Sequence, residues 1–235
     1  MDFFELINKR RSVRKFKDTK VPESVMRKCL KASVLAANSS NLQPWEFYWV
    51  RDPKKKETVV KACFSQNAAK GAKELVIAVS KIDTWKRNRD LIIEEHKKKN
   101  RFIPLVDKYY NKLIPFAYYH DFLGISGLIK RFIFLFVNIY GYFKPVIRGP
   151  IYKHELFETV SKTTALACQN FMMALVAEGF DSCPMEGFDE RRIKKMLKLN
   201  WQSHVVMIFG IGEAASNGVY SERFRVDDSL VIKEI

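Results

Sequence analysis

Arg10-Arg11-Ser12-Val13-Arg14-Lys15-Phe16 places three arginines and a serine within five residues. They follow Phe3, Phe4, Leu6 and Ile7, whose spacing predicts a first short helix. The alternation from Ser12 to Phe16 predicts an extended segment that aims Arg10, Ser12 and Arg14 to one side. Guanidinium forks bind phosphate through paired hydrogen bonds, and a serine hydroxyl adds another. The stretch therefore reads as a phosphate cradle, or more plainly as a solvated basic loop. Which it is depends on what the rest of the chain can bring to it.

The chain has 235 residues, 47% of them hydrophobic, which is enough to bury a core as one domain or one domain with an insertion. Met1-Asp2 opens the sequence and charged residues follow at once, so no signal peptide is expected and the predicted location is cytoplasmic. Cys29, Cys63, Cys168 and Cys183 lie far apart with no Cys-x-x-Cys pair, and read as small core residues of a reduced protein. The net charge of +15 raises the question of nucleic acid. Residues 84–150 carry 13 Lys and Arg against 5 Asp and Glu, so about half the excess sits in one middle segment. No zinc-finger spacing or RNP-like aromatic motif accompanies it, and an anionic cofactor or a weak contact with an anionic surface explains the charge as well.

Working outward, Val21-Pro22-Glu23-Ser24 predicts a helix start, and Met26, Cys29, Leu30, Ser33, Ala36 and Ala37 recur at helical spacing. The polar loop Asn38-Ser39-Ser40-Asn41-Leu42-Gln43-Pro44 ends that helix. Trp45, Phe47 and Trp49 alternate as in a strand. Asp52-Pro53 opens a second helix with Val59, Val60 and Phe64 on its apolar side, and Leu75–Val79 predicts a buried strand. The segment 84–150 then changes character: a charged helix from Trp85 to about Arg101, a Pro- and Tyr-rich piece from Pro104 to Tyr119, and an apolar piece from Phe122 to Phe143. Lys130 and Arg131 interrupt the last piece, so it is not read as transmembrane. It is read as a lid, a dimer-covering helix pair or an interfacial helix, in that order.

From Thr159 to Ala177 the only charge is Lys162, and a helix apolar almost all round must be covered on all sides. Gly179 caps it, Cys183-Pro184-Met185-Glu186-Gly187-Phe188 reads as a turn, Asp189 starts a short basic helix to about Leu197, and His204–Gly210 reads as a strand. Gly210-Ile211-Gly212-Glu213-Ala214-Ala215 matches a dinucleotide fingerprint on paper. Ser216-Asn217-Gly218 breaks the chain where that fingerprint needs a helix, so the two glycines are read as a flexible strand end. His96, His120, His154 and His204 are scattered, and no metal site is expected. No P-loop or Gly-x-Ser-x-Gly elbow is present.

Taken together, Arg10-Arg11-Ser12-x-Arg14, Asn41-x-Gln43-Pro44-Trp45, Asn67-x-x-Lys70, Pro184-x-Glu186-Gly187 and Arg223-x-Arg225 resemble, in order and rough spacing, the nitroreductase family of FMN-dependent oxidoreductases. The resemblance covers residues 1–80 and roughly 155–228. It implies an α+β fold, a mixed, mostly antiparallel sheet flanked by helices, in a homodimer with FMN at the interface. One domain over 1–235 with an insertion at about 84–150 is expected. Arg10, Ser12 and Arg225 would hold the FMN phosphate, with Arg11 and Arg223 beside them. Arg14 and Lys70 would lie near N1/O2 of the flavin, with Asn67 bonding the ring. Asn38, Ser39 and Asn41 would come from the other subunit. Pro184, Met185, Glu186 and Gly187 would line the far side of the ring, with the Glu186 backbone N–H near N5. These residue types suit the chemistry, because reduction leaves negative charge at N1/O2 and fixed cations there stabilise it. Ala37-Asn38 stands where the family usually has Pro-Ser, so this helix-to-loop turn departs from the pattern.

The resemblance implies an enzyme in which NAD(P)H reduces the flavin, and the flavin reduces a small electron-poor acceptor such as a nitroaromatic or quinone. An FMN storage or sensor protein without fast turnover is the alternative, and a nucleic-acid or membrane-surface binder using the basic insertion is the third reading. The apolar piece is expected to cover the dimer, and the aromatic piece before it to wall the acceptor pocket.

Overall fold

The computed structural model describes residues 2–101 and 103–235. Helix α1 (Phe3–Lys9) forms where periodicity places it, closed by a capping box between Asp2 and Glu5. Helix α2 (Glu23–Ser33) follows Pro22 and buries Met26, Cys29 and Ser33. It ends four residues sooner than its small-residue run predicts. Ala36 lies beyond it and packs with Trp45 and Ala167 instead. A 3₁₀ turn (Ser39–Asn41) leads into β1 (Trp45–Trp49).

Helix α3 (Pro53–Ala62) is capped by Asp52. Phe64, expected on its apolar side, falls past its end at φ 54° and is 71% exposed. A single turn, α4 (Asn67–Lys70), precedes β2 (Glu74–Lys81). Then come α5 (Trp85–Lys98), α6 (Pro104–Lys108), a π-helical turn (Tyr109–Leu113), α7 (Ile114–Tyr118) and α8 (Ile125–Tyr140). The central helix α9 (Lys153–Ala177), β3 (Asp181–Met185), α10 (Glu190–Leu197), β4 (Ser203–Gly212) and a last turn α11 (Asp228–Val231) complete the chain.

The four strands form one antiparallel sheet in the order β1-β2-β4-β3. A parallel bridge from Ser12 to Ser182 adds the N-terminal segment beside β3. This is the α+β arrangement that the resemblance implies. Residues 181–185, mostly read as a turn, are an edge strand, and the turn begins only after Met185. Pro184 lacks a donor, and an edge strand tolerates that because only one side must pair.

One face of the sheet carries Ile77 and Ile208 against Val59 and Ala62 of α3, Ala69 of α4 and Ile193 of α10. The other carries Val76, Ala78 and Phe209 against Phe171, Cys168 and Leu175 of α9. All four cysteines are buried and unpaired. Burial pushes the Cys29 and Cys168 thiols up to about 12 and Cys63 to about 11, which makes them inert packing groups. Within one protomer α9 is not covered on all sides: Lys162, Leu166, Gln169 and Asn170 stay exposed, Leu166 by 52%.

Candidate functional site

The N-terminal stretch is held extended by two isolated bridges, Ser12 with Ser182 and Phe16 with Ala214. Val13 N–H donates to Ser182 at 3.1 Å, Arg14 N–H to Gly218 at 2.8 Å and Lys17 N–H to Glu213 at 2.8 Å. Val13 turns inward and is buried, so Ser12 and Arg14 are presented on the other side. The tail returns across this segment. Arg10, Arg11, Ser12 and Arg14 then line one cavity of about 330 Å³ with Tyr220, Glu222, Arg223 and Arg225. Residues more than 200 positions apart in sequence thus meet.

Five guanidinium groups and one carboxylate, that of Glu222, line this cavity. Burial, then the charges of Arg223, Arg225 and Arg11, lower the pKa of Arg10. Such a cluster is electrostatically incomplete until an anion enters it. The five arginines are not equivalent. Arg223 Nη2 donates to the carbonyls of Arg10 at 2.7 Å and Asn8 at 2.8 Å, so it ties the tail to the N-terminal segment. Arg11 donates to the Ser221 carbonyl and does the same on the other side. Among the described residues, the Arg10 side chain has no hydrogen-bond partner in the protein, and Arg225 reaches only the neighbouring Phe224 carbonyl. These two keep their donors for a ligand.

Two side chains that carried no sequence signal join the motifs. The Arg14 guanidinium lies 5.2 Å from the centre of the Tyr220 ring, and Asn67 Nδ2 donates to the Tyr220 hydroxyl at 2.9 Å. Gln66 Nε2 donates to the Gly187 carbonyl at 3.0 Å, linking α4 to the turn after β3. Asn67 and Lys70 stand three apart on α4, both exposed, and so share one side of it. Glu186 lies one residue beyond the β3–β4 ladder, exposed, with Pro184 and Met185 inside it.

The loop 38–43 is elsewhere. Asn38 Oδ1 accepts from Gln43 N–H at 2.9 Å and its amide donates to the Ala36 carbonyl, so Asn38 braces the loop. Ser40, Asn41 and Gln43 have φ of 57°, 53° and 46°. Asn41 and Gln43 open onto a second cavity of about 740 Å³ that α5 completes with Arg87, Leu91 and His96. Ser39 and Asn41 are exposed there. The segment after α5 touches this loop: the Ser40 and Tyr109 hydroxyls lie 2.6 Å apart and Tyr110 OH donates to the Ser40 carbonyl at 3.1 Å.

A model described as the nitroreductase family matches residues 7–213. The chain is 24% identical over 219 residues to the NADH dehydrogenase of Thermus thermophilus, spanning 93% of this chain and 90% of that one. Its fold matches an NAD(P)H:FMN oxidoreductase candidate from Staphylococcus epidermidis with a TM-score of 0.75 at 19% identity, over 100% of this chain and 96% of the other. It also matches a nitroreductase candidate from Exiguobacterium sibiricum, solved in complex with FMN, with a TM-score of 0.70 at 20% identity, over 100% and 98% of the two chains. The chain belongs to the nitroreductase family.

Proposed function

We propose that the protein is an FMN-dependent oxidoreductase that takes a hydride from NAD(P)H and reduces a small electron-poor acceptor such as a nitroaromatic or quinone. The carrying observation is the convergence of Arg10, Ser12 and Arg225 on one cavity with free guanidinium donors and a charge that calls for an anion. The FMN held by the Exiguobacterium protein and the NADH named for the Thermus relative support the same reading. Bound FMN supplies the two-electron redox chemistry. Arg10, Ser12 and Arg225 would hold its phosphate, while Arg223 and Arg11 fix the two segments that present them. Arg14, braced on Tyr220, and Lys70 would place positive charge at the pyrimidine edge, where reduction adds negative charge. Asn67, held by Tyr220, would bond the ring, and the Glu186 N–H would serve its N5 side, with Pro184, Met185 and Gly187 shaping the wall.

The purified protein is expected to be yellow, with flavin absorbance that bleaches anaerobically on mixing with NADH or NADPH and returns when a quinone is added. Flavin that resists both nicotinamides points to storage or sensing instead, and a colourless protein that does not take up FMN removes the reading altogether.

The same reading requires two chains. The loop 38–41 does not reach the arginine cavity of its own protomer, and the uncovered stripe Leu166, Gln169 and Asn170 on α9 offers a contact face. In a homodimer the loop of the partner subunit completes the flavin site, and Tyr109 and Tyr110, tied to Ser40, wall the acceptor pocket with it. Sedimentation at low micromolar concentration is expected to give twice 27.5 kDa. A monomer that retains FMN refutes the shared site.

A further inference from the structure

Helix α8 is built the wrong way round for a helix in water. Gly127, Lys130 and Phe134 form its buried side, and Lys130 is the polar group among them. The Lys130 ammonium donates to the carbonyls of Ala117 at 3.0 Å and Tyr119 at 2.9 Å, with His120 Nε2 3.2 Å away. It moors the helix to the end of α7 through hydrogen bonds. The opposite side is apolar. Ile125, Leu128, Ile129, Phe132, Ile133, Leu135, Phe136, Ile139 and Tyr140 are each 40–65% exposed. At about 100° per residue they fill an unbroken arc of roughly 160°, and Arg131 and Asn138 mark one border of it. Phe122 and Leu123 before the helix, and Tyr142 and Phe143 after it, extend the surface and are at least 75% exposed. No ordinary soluble monomer displays an apolar surface this continuous without a use for it.

Charge identifies the occupant. Between Asp121 and Glu155 there is no acidic residue, while Arg131, Lys144, Arg148 and Lys153 are present besides the buried Lys130. Asp121 is engaged by the N–H groups of Ile125 and Ser126, and Glu155 by those of Ile151 and Tyr152. A second copy would bring the same local excess of positive charge to this contact. An anionic surface with an apolar interior matches both features. The helix has 16 residues and is about 24 Å long, short of the roughly 30 Å of a bilayer core, and no described helix is long and apolar enough to cross a membrane. We propose that α8 docks the protein on the surface of an anionic lipid bilayer, with the arc Leu128–Phe132–Phe136–Ile139 lying below the headgroups and the flanking lysines and arginines among them.

The test is flotation of the full-length protein with vesicles of phosphatidylcholine alone and of phosphatidylcholine mixed with phosphatidylglycerol. Wild type is expected to float with the anionic vesicles, less so as salt rises, and much less with the neutral ones. The double substitution Phe132→Glu and Phe136→Glu, at side chains 65% and 57% exposed, is expected to lower partitioning at least about tenfold. It should leave melting temperature, sedimentation and flavin content as in wild type. Failure of wild type to float with anionic vesicles overturns the proposal, as does equal partitioning of the variant. A wild type that ignores vesicles while the variant changes its sedimentation assigns the face to a contact between copies, and also overturns it. None of these readouts depends on flavin chemistry.

Discussion

Arg10→Ala is expected to weaken FMN binding by roughly one to two orders of magnitude, without making the cofactor-free protein less stable. A hydrogen bond to a charged partner contributes about 1.5–3 kcal/mol, and each 1.4 kcal/mol is a factor of ten. The second half of the expectation comes from the electrostatics of the empty cluster. Burial and the neighbouring Arg223, Arg225 and Arg11 all disfavour the charged form of Arg10. Removing that charge relieves repulsion in the apo protein and removes attraction in the holo protein, so the two effects have opposite signs. Arg225→Ala should follow the same pattern, since its guanidinium reaches only a neighbouring carbonyl. Arg223→Ala should not, because its loss frees the carbonyls of Asn8 and Arg10 and loosens the tail. It should lower apo stability and FMN affinity together. Fluorescence quenching by added protein at two salt concentrations measures affinity, and thermal melting without FMN measures stability. Wild-type affinity in both Arg10→Ala and Arg225→Ala would assign the cluster to some other anion.

That Arg10, Ser12 and Arg14 lie on an extended segment was legible because its signals are local and chemical: a run of arginines, a serine and an alternation that fixes direction. The tail arginines were legible as a motif, but their division of labour was not. Nothing in Arg223-x-Arg225 says that the first binds main chain and the second is left free. That depends on which carbonyls the N-terminal segment presents 213 residues earlier in the chain. Tyr220 and Gln66 were missed for the same reason. Each is a single residue whose role is a contact across the fold, with Asn67 in one case and Gly187 in the other. The β3 strand was misread because Pro184 and Gly187 are turn formers in isolation. The pairing of Pro184 with Phe209 is a property of the sheet edge, not of the pentapeptide. Between Phe122 and Phe143 the sequence showed an apolar piece interrupted by Lys130, but periodicity does not tell which side faces inward. The lysine is the inner residue, and this reverses the usual assignment.

The glycines at the end of β4 illustrate the same limit and lead to the other large expected effect. Gly210 was read as flexible, yet it sits in a strand paired on both sides, with Leu75 of β2 and Cys183 of β3. A Cβ at Gly210 would stand 2.0 Å from the Ala68 carbonyl oxygen and 3.3 Å from the Ala72 Cβ. Both ladders prevent the strand from yielding, so α4 must move. Ala68 and Ala69 would then leave their buried places in the core. Gly210→Ala is therefore expected to cost about 3 kcal/mol, the upper end for a small-to-large change in a packed interior. It also has a functional consequence that a general loss of stability would not have. The displaced turn carries Asn67 and Lys70, and Gln66 couples it to the Gly187 carbonyl, so the turn after β3 moves too. FMN affinity should fall at temperatures where the variant is still folded. Gly179→Ala is the control. It sits at φ 81° after α9 with nothing within 4 Å of its would-be Cβ, so it should cost only about 1 kcal/mol and leave FMN binding unchanged. Melting curves and FMN titrations on the two variants separate the effects. A Gly210→Ala protein that melts with wild type and binds FMN normally would show that α4 is not locked to the sheet by this contact. The close approach of Ala68 would then not be what positions Asn67 and Lys70.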